Sequence, residues 1–533
     1  MAQFNAADYL VHAQARGEFA DKVAVEGTRN RTYAELSDDV QRLAGNLRAL
    51  GLRGDDRVLC VMVDDVEFVV SVLAAFHAGL VAVPISTMYE GHELAEIVVD
   101  SGARVVIGSA EFAGAVNEAV STASEVEHLV VSGDFTPAVP DKVNVIRWPE
   151  LIDGPAEPMR EPAATEEDGW ALWLYTSGTT GKPKAAMHRH ANIRHVHETY
   201  GKQVLGITSQ DRCLSVAKMF FAYGIGNSLF FPLAAGATTI MEPRRPTPDV
   251  FGERARESKP TLFFGVPTFY NAMVNSDLPD DTFASVRLGA SAGEVLPVAL
   301  QQKVLDKFGF EILDGIGSTE ALHIFLSNVP GDIRPGTTGW PVPGWEAGVR
   351  DAQGNAVPDG EQGELHIRGE ALAIGYWRRT DAQRAVFLGD WMRTGDEYVR
   401  DSDGVFRCLG RANDLLKAGG IWVTPSEVEA RLLAHEAVVE AAVVGVEDAA
   451  GLVKPVAAVV VRPGFESITE AEIVTWCRDG LAHFKAPRAV TIVDELPKTA
   501  TGKLQRFRVK QQMGDVLSAG ISQSATEATG DAR

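Results

Sequence analysis

Short apolar runs of strand length alternate with helix-length amphipathic stretches through the first 330 residues, and few folds accommodate that alternation. The runs include RVLCVMV (57–63), ARVVIGS (103–109), HLVVSG (128–133), ALWLYTSG (171–178), ATTIME (237–242), PTLFFGVP (260–267) and VRLGASAG (286–293). Helical patterns lie between them at 35–50, 91–101, 248–258 and 297–308. A strand that is apolar along its whole length is buried on both faces, and intervening helices supply the crossovers parallel strands need. The expected class is α/β, with more runs than one sheet would take.

After about residue 335 the texture changes. The stretch PGTTGWPVPGWEAGVRDAQGNAVPDGEQGELHIRGE is rich in Gly and Pro and reads as a small antiparallel β unit. A second change follows GRANDLLKAGG (410–420). TPSEVEARLLAH (424–435) opens on Thr and Pro with early glutamates, a good helix start, while AAVVGV (441–446) and VKPVAAVVVRP (453–463) read as strands. The expected organisation is a large N-terminal domain (1–411) holding the parallel sheets and the β unit, a small mobile α+β domain (412–513), and a polar disordered tail (514–533).

Of 533 residues, 45% are hydrophobic and 23% charged, which is ample for large cores. A net charge of −22 argues against nonspecific binding to nucleic acid or an anionic membrane, while leaving room for a local cationic site. The cysteines Cys60, Cys213, Cys408 and Cys477 form no CxxC pair, which disfavours disulfides and thiolate zinc and fits a reducing cytoplasm. The N-terminus lacks a secretory pattern. The most apolar stretch, 69–86, is interrupted by His77 and stopped by Pro84, so it reads as a buried helix and strand.

YTSGTTGKPKAAMHRH (175–190) follows the apolar run ALWLY. Gly178 and Gly181 are too close for a Walker loop, and Pro183 follows Lys182. The ingredients nevertheless suit a polyphosphate. The glycines let backbone amides approach an anion, Ser177, Thr179 and Thr180 can donate to phosphate oxygens, and Lys182 and Lys184 can neutralise charge. A loop leaving the end of a buried strand is where α/β folds place ligands. The competing reading is a surface turn.

This loop resembles the phosphate loop of the acyl-adenylating superfamily, which includes acyl-CoA synthetases, nonribosomal adenylation domains and firefly luciferase. Further motifs resemble that family's in the same order: RTYAEL (31–36), SAGEVLP (291–297), DGIGSTEA (314–321), TGD (394–396), GRANDLLKAGG (410–420) and PKTATGKLQR (497–506). The resemblance implies ATP, Mg²⁺ and a thiol substrate. ATP would be held by Thr176 and the loop residues through Lys184, by Ser291, Ala292, Gly293, Glu294, Asp314 and Gly315 around adenine, and by Asp396 and Arg411 at the ribose. Thr319 would contact the α-phosphate and Glu320 would hold Mg²⁺; the plainer reading of GSTE is a helix N-terminus capped by Ser318 or Thr319, and the two are compatible. Lys503 would reach from the small domain to the attacking carboxylate and the α-phosphate. Two steps follow: an acyl-adenylate with release of pyrophosphate, then a thioester with release of AMP. The small domain repositions between them about a hinge at Arg411 to Lys417. Asn413 stands where the family usually has Asp or Lys, with Asp414 next. Gly419 and Gly420 would let pantetheine pass.

AKMFFAYGIGNSLFF (217–231) falls at the family's acyl pocket, lined by Phe221, Ala222, Tyr223, Gly224 and Gly317, with His323 facing them. FFAYG and STEALHIF most resemble the benzoate-CoA ligase branch, although a plain aromatic core stripe would look similar. The expected partners are an aryl carboxylate, ATP and CoA, without nucleic acid or membrane, and a homodimer is left open. Loading of a carrier protein, a non-aromatic short acid, and a nonenzymatic nucleotide sensor are the alternatives. The histidines of MHRHANIRHVHE (187–198) read as a polar helix start.

Overall fold

The structure, a computed structural model, describes residues 2–177, 183–411, 416–418, 421–447, 453–482, 485–498 and 504–514. Two large sheets account for the alternating pattern. The first runs in the order Asn144–Arg147, His128–Ser132, Val105–Ser109, Arg57–Val61, Val81–Pro84, Trp170–Ser177, Pro183–Arg189, and every pair is parallel except the last. In the second, six parallel strands lie in the order Val23–Glu26, Thr238–Ile240, Arg212–Ser215, Leu262–Gly265, Leu288–Ser291, Ile312–Gly317. Antiparallel strands close both of its ends. The expectation of an α/β chain with more than one sheet holds.

Burial explains the sequence pattern. Leu59, Val106, Leu129 and Trp173 belong to one core, and Phe251, Phe263, Tyr270 and Phe283 to another. The expected helix and strand at 69–86 are Val66–His77 and Val81–Pro84, with His77 fully buried. RTYAEL is a capping box: Thr32 Oγ1 accepts from the Glu35 amide and the Glu35 carboxylate accepts from the Thr32 amide, starting the helix Tyr33–Ala49. Five short strands between Trp345 and Arg411 follow the second sheet.

By compactness the chain divides into one unit of Met1–Gly348, His366–Thr394 and Gly404–Phe406, and another of Val349–Leu365, Gly395–Asp403 and Arg407–Arg533. In the second unit, Val438–Glu447 pairs antiparallel with Val453–Val461, which pairs parallel with Val490–Ile492. The helices Pro425–Leu433 and Glu470–Gly480 contribute Val428, Leu432, Ile473 and Cys477 to its core. Among the described residues, no cysteine is in a disulfide. Among the described residues, no helix is long and apolar enough to cross a membrane.

Candidate active site

The glycine-rich loop connects two antiparallel strands, with Thr176 in register with Lys184 and Ser177 with Pro183. Gly178, Thr179, Thr180, Gly181 and Lys182 lie outside the described residues. Side chains alternate along a strand, so Lys184, Ala186 and His188 share one face of Pro183–Arg189.

GSTE is a tight turn, not a helix start. Ile312–Gly317 runs antiparallel to Ile324–Ser327, and residues 318–323 reverse the chain between them, with Leu322 at φ 64°. A left-handed Leu is costly, and here it is fully buried. The capped-helix reading is thereby excluded. Three contacts brace the turn. His188 Nε2 lies 2.8 Å from the Thr319 carbonyl, the Ala373 amide donates to the Glu320 carbonyl at 2.7 Å, and the Tyr376 hydroxyl donates to Glu320 Oε1 at 2.5 Å. The Lys184 ammonium stands 4.0 Å from the centre of the Tyr376 ring. Burial lowers the Lys184 pKa, and the nearby Glu320 charge opposes that shift.

Ser291 ends the strand Leu288–Ser291 in register with Asp314 on its parallel neighbour. Ser291 sits at the carboxyl end of its strand, and Asp314, with Gly315 next to it, is the last residue of Ile312–Gly317 paired with that strand. Ser291 Oγ and Asp314 Oδ1 are buried without a hydrogen-bond partner among the described residues, and burial pushes the Asp314 pKa up. Ala292 is buried and Gly293 turns the chain at φ 91°. Glu294 accepts from the Thr268 amide at 3.1 Å and its hydroxyl at 2.7 Å, tying this loop to the helix Pro267–Val274.

The segment 217–231 folds into short helical turns. The Tyr223 and His323 ring centres are 5.4 Å apart, and Tyr200 and Phe231 also pack on His323, at 5.2 Å and 4.6 Å. Asn227 Oδ1 lies 3.2 Å from His323 Nε2. Burial pushes the His323 pKa down to about 3, so the ring is neutral. Tyr223 is raised well above its ordinary value by burial, and its hydroxyl has no hydrogen-bond partner among the described residues. Glycines make room for this cluster. A Cβ on Gly226 would come within 2.3 Å of the His323 ring, one on Gly317 within 2.5 Å of the His323 carbonyl, and one on Gly224 within 1.9 Å of the Lys218 carbonyl. Ala222 is buried, and Phe221 packs on Phe220 in a tilted arrangement with centres 4.6 Å apart.

In the second unit, Arg411 Nε lies 3.1 Å from Asp396 Oδ1, so these two candidates are neighbours. Asn413, Gly419, Gly420 and Lys503 lie outside the described residues, and Lys417 lies on the strand Leu416–Ala418. The flanks of the lysine motif are anchored: Lys498 and Leu504 form a β-bridge, and Arg506 Nη2 donates to Glu429 Oε2 at 2.9 Å.

Sequence reasoning missed Tyr376, Tyr200, Asn227 and Phe231 as site residues. It also took the 187–198 histidines for a polar helix start. The structure corrects that reading: His188 is on a strand, His190 begins the helix His190–Val196, and His188, His190 and His197 are buried. His190 Nδ1 accepts from the Ala6 amide at 3.2 Å, and His197 Nδ1 lies 2.7 Å from the Tyr9 hydroxyl. Burial pushes all three down to about 4.

An α/β chain with a glycine-rich loop hairpin, a Thr-Glu turn and a separate small unit defines an adenylate-forming class of enzyme. The chain belongs to the AMP-binding enzyme family: residues 11–377 match it, and residues 427–503 match the AMP-binding enzyme C-terminal domain. It is 41% identical over 514 residues to a benzoate–CoA ligase of Thauera aromatica, covering 95% of this chain and 96% of that one. Among solved structures, it matches a benzoate CoA ligase from Burkholderia xenovorans LB400 with a TM-score of 0.87 and 44% identity, covering 95% and 100% of the two chains. It also matches an anthranilate CoA ligase in complex with anthranoyl-AMP with a TM-score of 0.90 and 36% identity, covering 97% and 98%.

Proposed function

We propose that the chain is an AMP-forming ligase that joins a benzoate-type carboxylic acid to CoA through an aryl-adenylate. One observation supports this reading above others. The single turn 318–323 carries Thr319 and Glu320 at one end and His323, the hub of an aromatic pocket, at the other. A flat ring lodged against His323 thus has its carboxylate directed toward phosphate-binding groups.

In the first step a carboxylate oxygen attacks the α-phosphorus, and the bond to the bridging oxygen of the β-phosphate breaks, releasing pyrophosphate. Donors from Thr319 and the 176–182 loop, with the ammoniums of Lys182, Lys184 and Lys503, offset the charge that builds on phosphate oxygens. Asp396 and Arg411 hold the ribose, and the segments at Ser291–Glu294 and Asp314–Gly315 hold the adenine. In the second step the thiolate of CoA attacks the acyl carbon and AMP leaves with the anhydride oxygen. Asn413 and Lys417 belong to the hinge, and Gly419 and Gly420 to the thiol path.

The donor set suits magnesium: a carboxylate beside a hydroxyl and phosphate oxygens is hard-oxygen chemistry. Glu320 would hold the ion, which would neutralise phosphate charge when bound. A homodimer and a cytoplasmic setting complete the reading; sedimentation of the purified protein tests the former.

The test is a panel of benzoates, fatty acids and amino acids, each offered with CoA or a carrier protein. Pyrophosphate release should depend on a benzoate-type acid, and thioester should appear only with CoA. Release driven equally by fatty acids, or thioester formed only on the carrier, would overturn the assignment.

A further inference from the structure

We propose that His188 is a positioning residue: its neutral Nε2–H tautomer, set by Asn192, holds the Thr319–Glu320 turn at the triphosphate. This inference rests on the role proposed above for that turn.

Three contacts assign the hydrogens. Arg189 Nε can only donate, and it meets Asn192 Oδ1 at 3.0 Å, so that atom is the oxygen and the Asn192 amino group faces the other way. That amino group lies 3.0 Å from His188 Nδ1, and also 3.1 Å from the Ala371 carbonyl and 3.2 Å from the Leu372 carbonyl. His188 Nδ1 is therefore an acceptor. At the other edge of the ring, Nε2 lies 2.8 Å from the Thr319 carbonyl, which can only accept, so Nε2 carries the hydrogen. Both His188 and Asn192 are fully buried, which makes a wrong tautomer expensive.

Strand alternation gives this relay its meaning. Lys184 and His188 are four residues apart on one face of Pro183–Arg189. Lys184 covers Tyr376, which holds the Glu320 carboxylate, while His188 holds the carbonyl of the preceding residue. A single strand face leaving the glycine-rich loop thus reaches Thr319 directly and Glu320 through Tyr376, and the Asn192 contacts extend the grip to 371–372. The relay touches no substrate; it acts through Thr319.

The test uses His188→Leu, which keeps bulk and loses the donor, and His188→Gln, whose amide can still donate to the carbonyl. Binding of a non-hydrolysable ATP analogue with Mg²⁺, and of adenosine alone, is measured by calorimetry on the full chain, alongside the KM for MgATP. His188→Leu should weaken the Mg²⁺–analogue complex roughly tenfold and leave adenosine binding within about threefold, since adenosine does not reach the turn. His188→Gln should recover most of the loss. Equal loss of adenosine binding, undiminished analogue binding by a folded His188→Leu, or a folded His188→Gln that binds the analogue tenfold more weakly than the unsubstituted chain would each overturn the proposal. If His188→Leu does not fold, His188→Gln decides. A separate control isolates the underlying reading: a Glu320→Gln chain that binds the Mg²⁺–analogue as tightly as the unsubstituted chain would refute the role of the turn itself, whatever His188 does.

Discussion

The Tyr376 hydroxyl donates to Glu320 Oε1 at 2.5 Å, across 56 residues of sequence. Its ring also lies under the Lys184 ammonium at 4.0 Å. One tyrosine therefore orients the carboxylate and positions a cation. Tyr376→Phe keeps the ring and loses the hydroxyl. A hydrogen bond to a charged group contributes about 1.5–3 kcal/mol, so adenylation kcat/KM should fall roughly tenfold to a hundredfold. The Mg²⁺ concentration for half-maximal pyrophosphate release should rise with it. A Mg²⁺ dependence that stays put while the rate falls would place Tyr376 elsewhere in the mechanism.

Lys503→Ala should reduce aryl-adenylate formation at least about a hundredfold, because it removes an ammonium from a transition state rich in negative charge. Thioester formation from supplied aryl-adenylate and CoA should persist near the unsubstituted rate. Comparable losses in the two half-reactions, measured separately, would refute a role confined to the first.

Gly226→Ala places a methyl 2.3 Å from the His323 ring, which must then move. Overpacking of this kind costs about 1–3 kcal/mol. The KM for the aromatic acid should rise roughly tenfold while the KM for ATP stays nearly constant. Matched changes in both constants would show that His323 does not border the ring pocket. Gly224→Ala should be worse tolerated, since its Cβ would meet the backbone carbonyl of Lys218 at 1.9 Å. Poor soluble yield and a lowered Tm are expected for it.

Acid should destabilise the chain through its buried histidines. His12 lies between Ser37 Oγ at 2.7 Å and His77 Nδ1 at 2.8 Å, and burial, helped by His77, pushes it down to about 4. An unfolded histidine titrates near ~6.5, so the neutral folded form is fully favoured above that pH, and its contribution is lost as pH falls toward about 4. Urea midpoints should drop between pH 7 and pH 5. His12→Gln should flatten that dependence by up to about 1.4 kcal/mol per pH unit. An unchanged slope would mean that His12 is already charged in the folded state.

Much of the frame was legible before any coordinates. Runs such as 57–63 and 260–267 announce strands because burial on both faces favours apolar residues along nearly the whole strand. The helical pattern at 35–50 is the helix Tyr33–Ala49, although its Thr32–Glu35 capping box went unread in the sequence. Tyr223 and His323 were also legible as a pair, through the ordered motifs that carry them. GSTE left a helix start open beside its site reading, since a hydroxyl followed by an acid signals a helix start just as well as a strand-to-strand turn. The histidines misled, because hydrophilic residues in a row look exposed until each finds a buried partner.

The sequence by itself determined the sheet class and the adenylating chemistry, because these follow from local periodicity and from motifs in order along the chain. Only the tertiary structure decided what grips the turn at 319–320. Tyr376 meets Glu320, Lys184 covers the Tyr376 ring, and His188 meets Thr319 across 131 residues, because separate strands and loops converge there in space. Alternation along a strand says which side chains share a face, but the partner waiting on that face is set by packing.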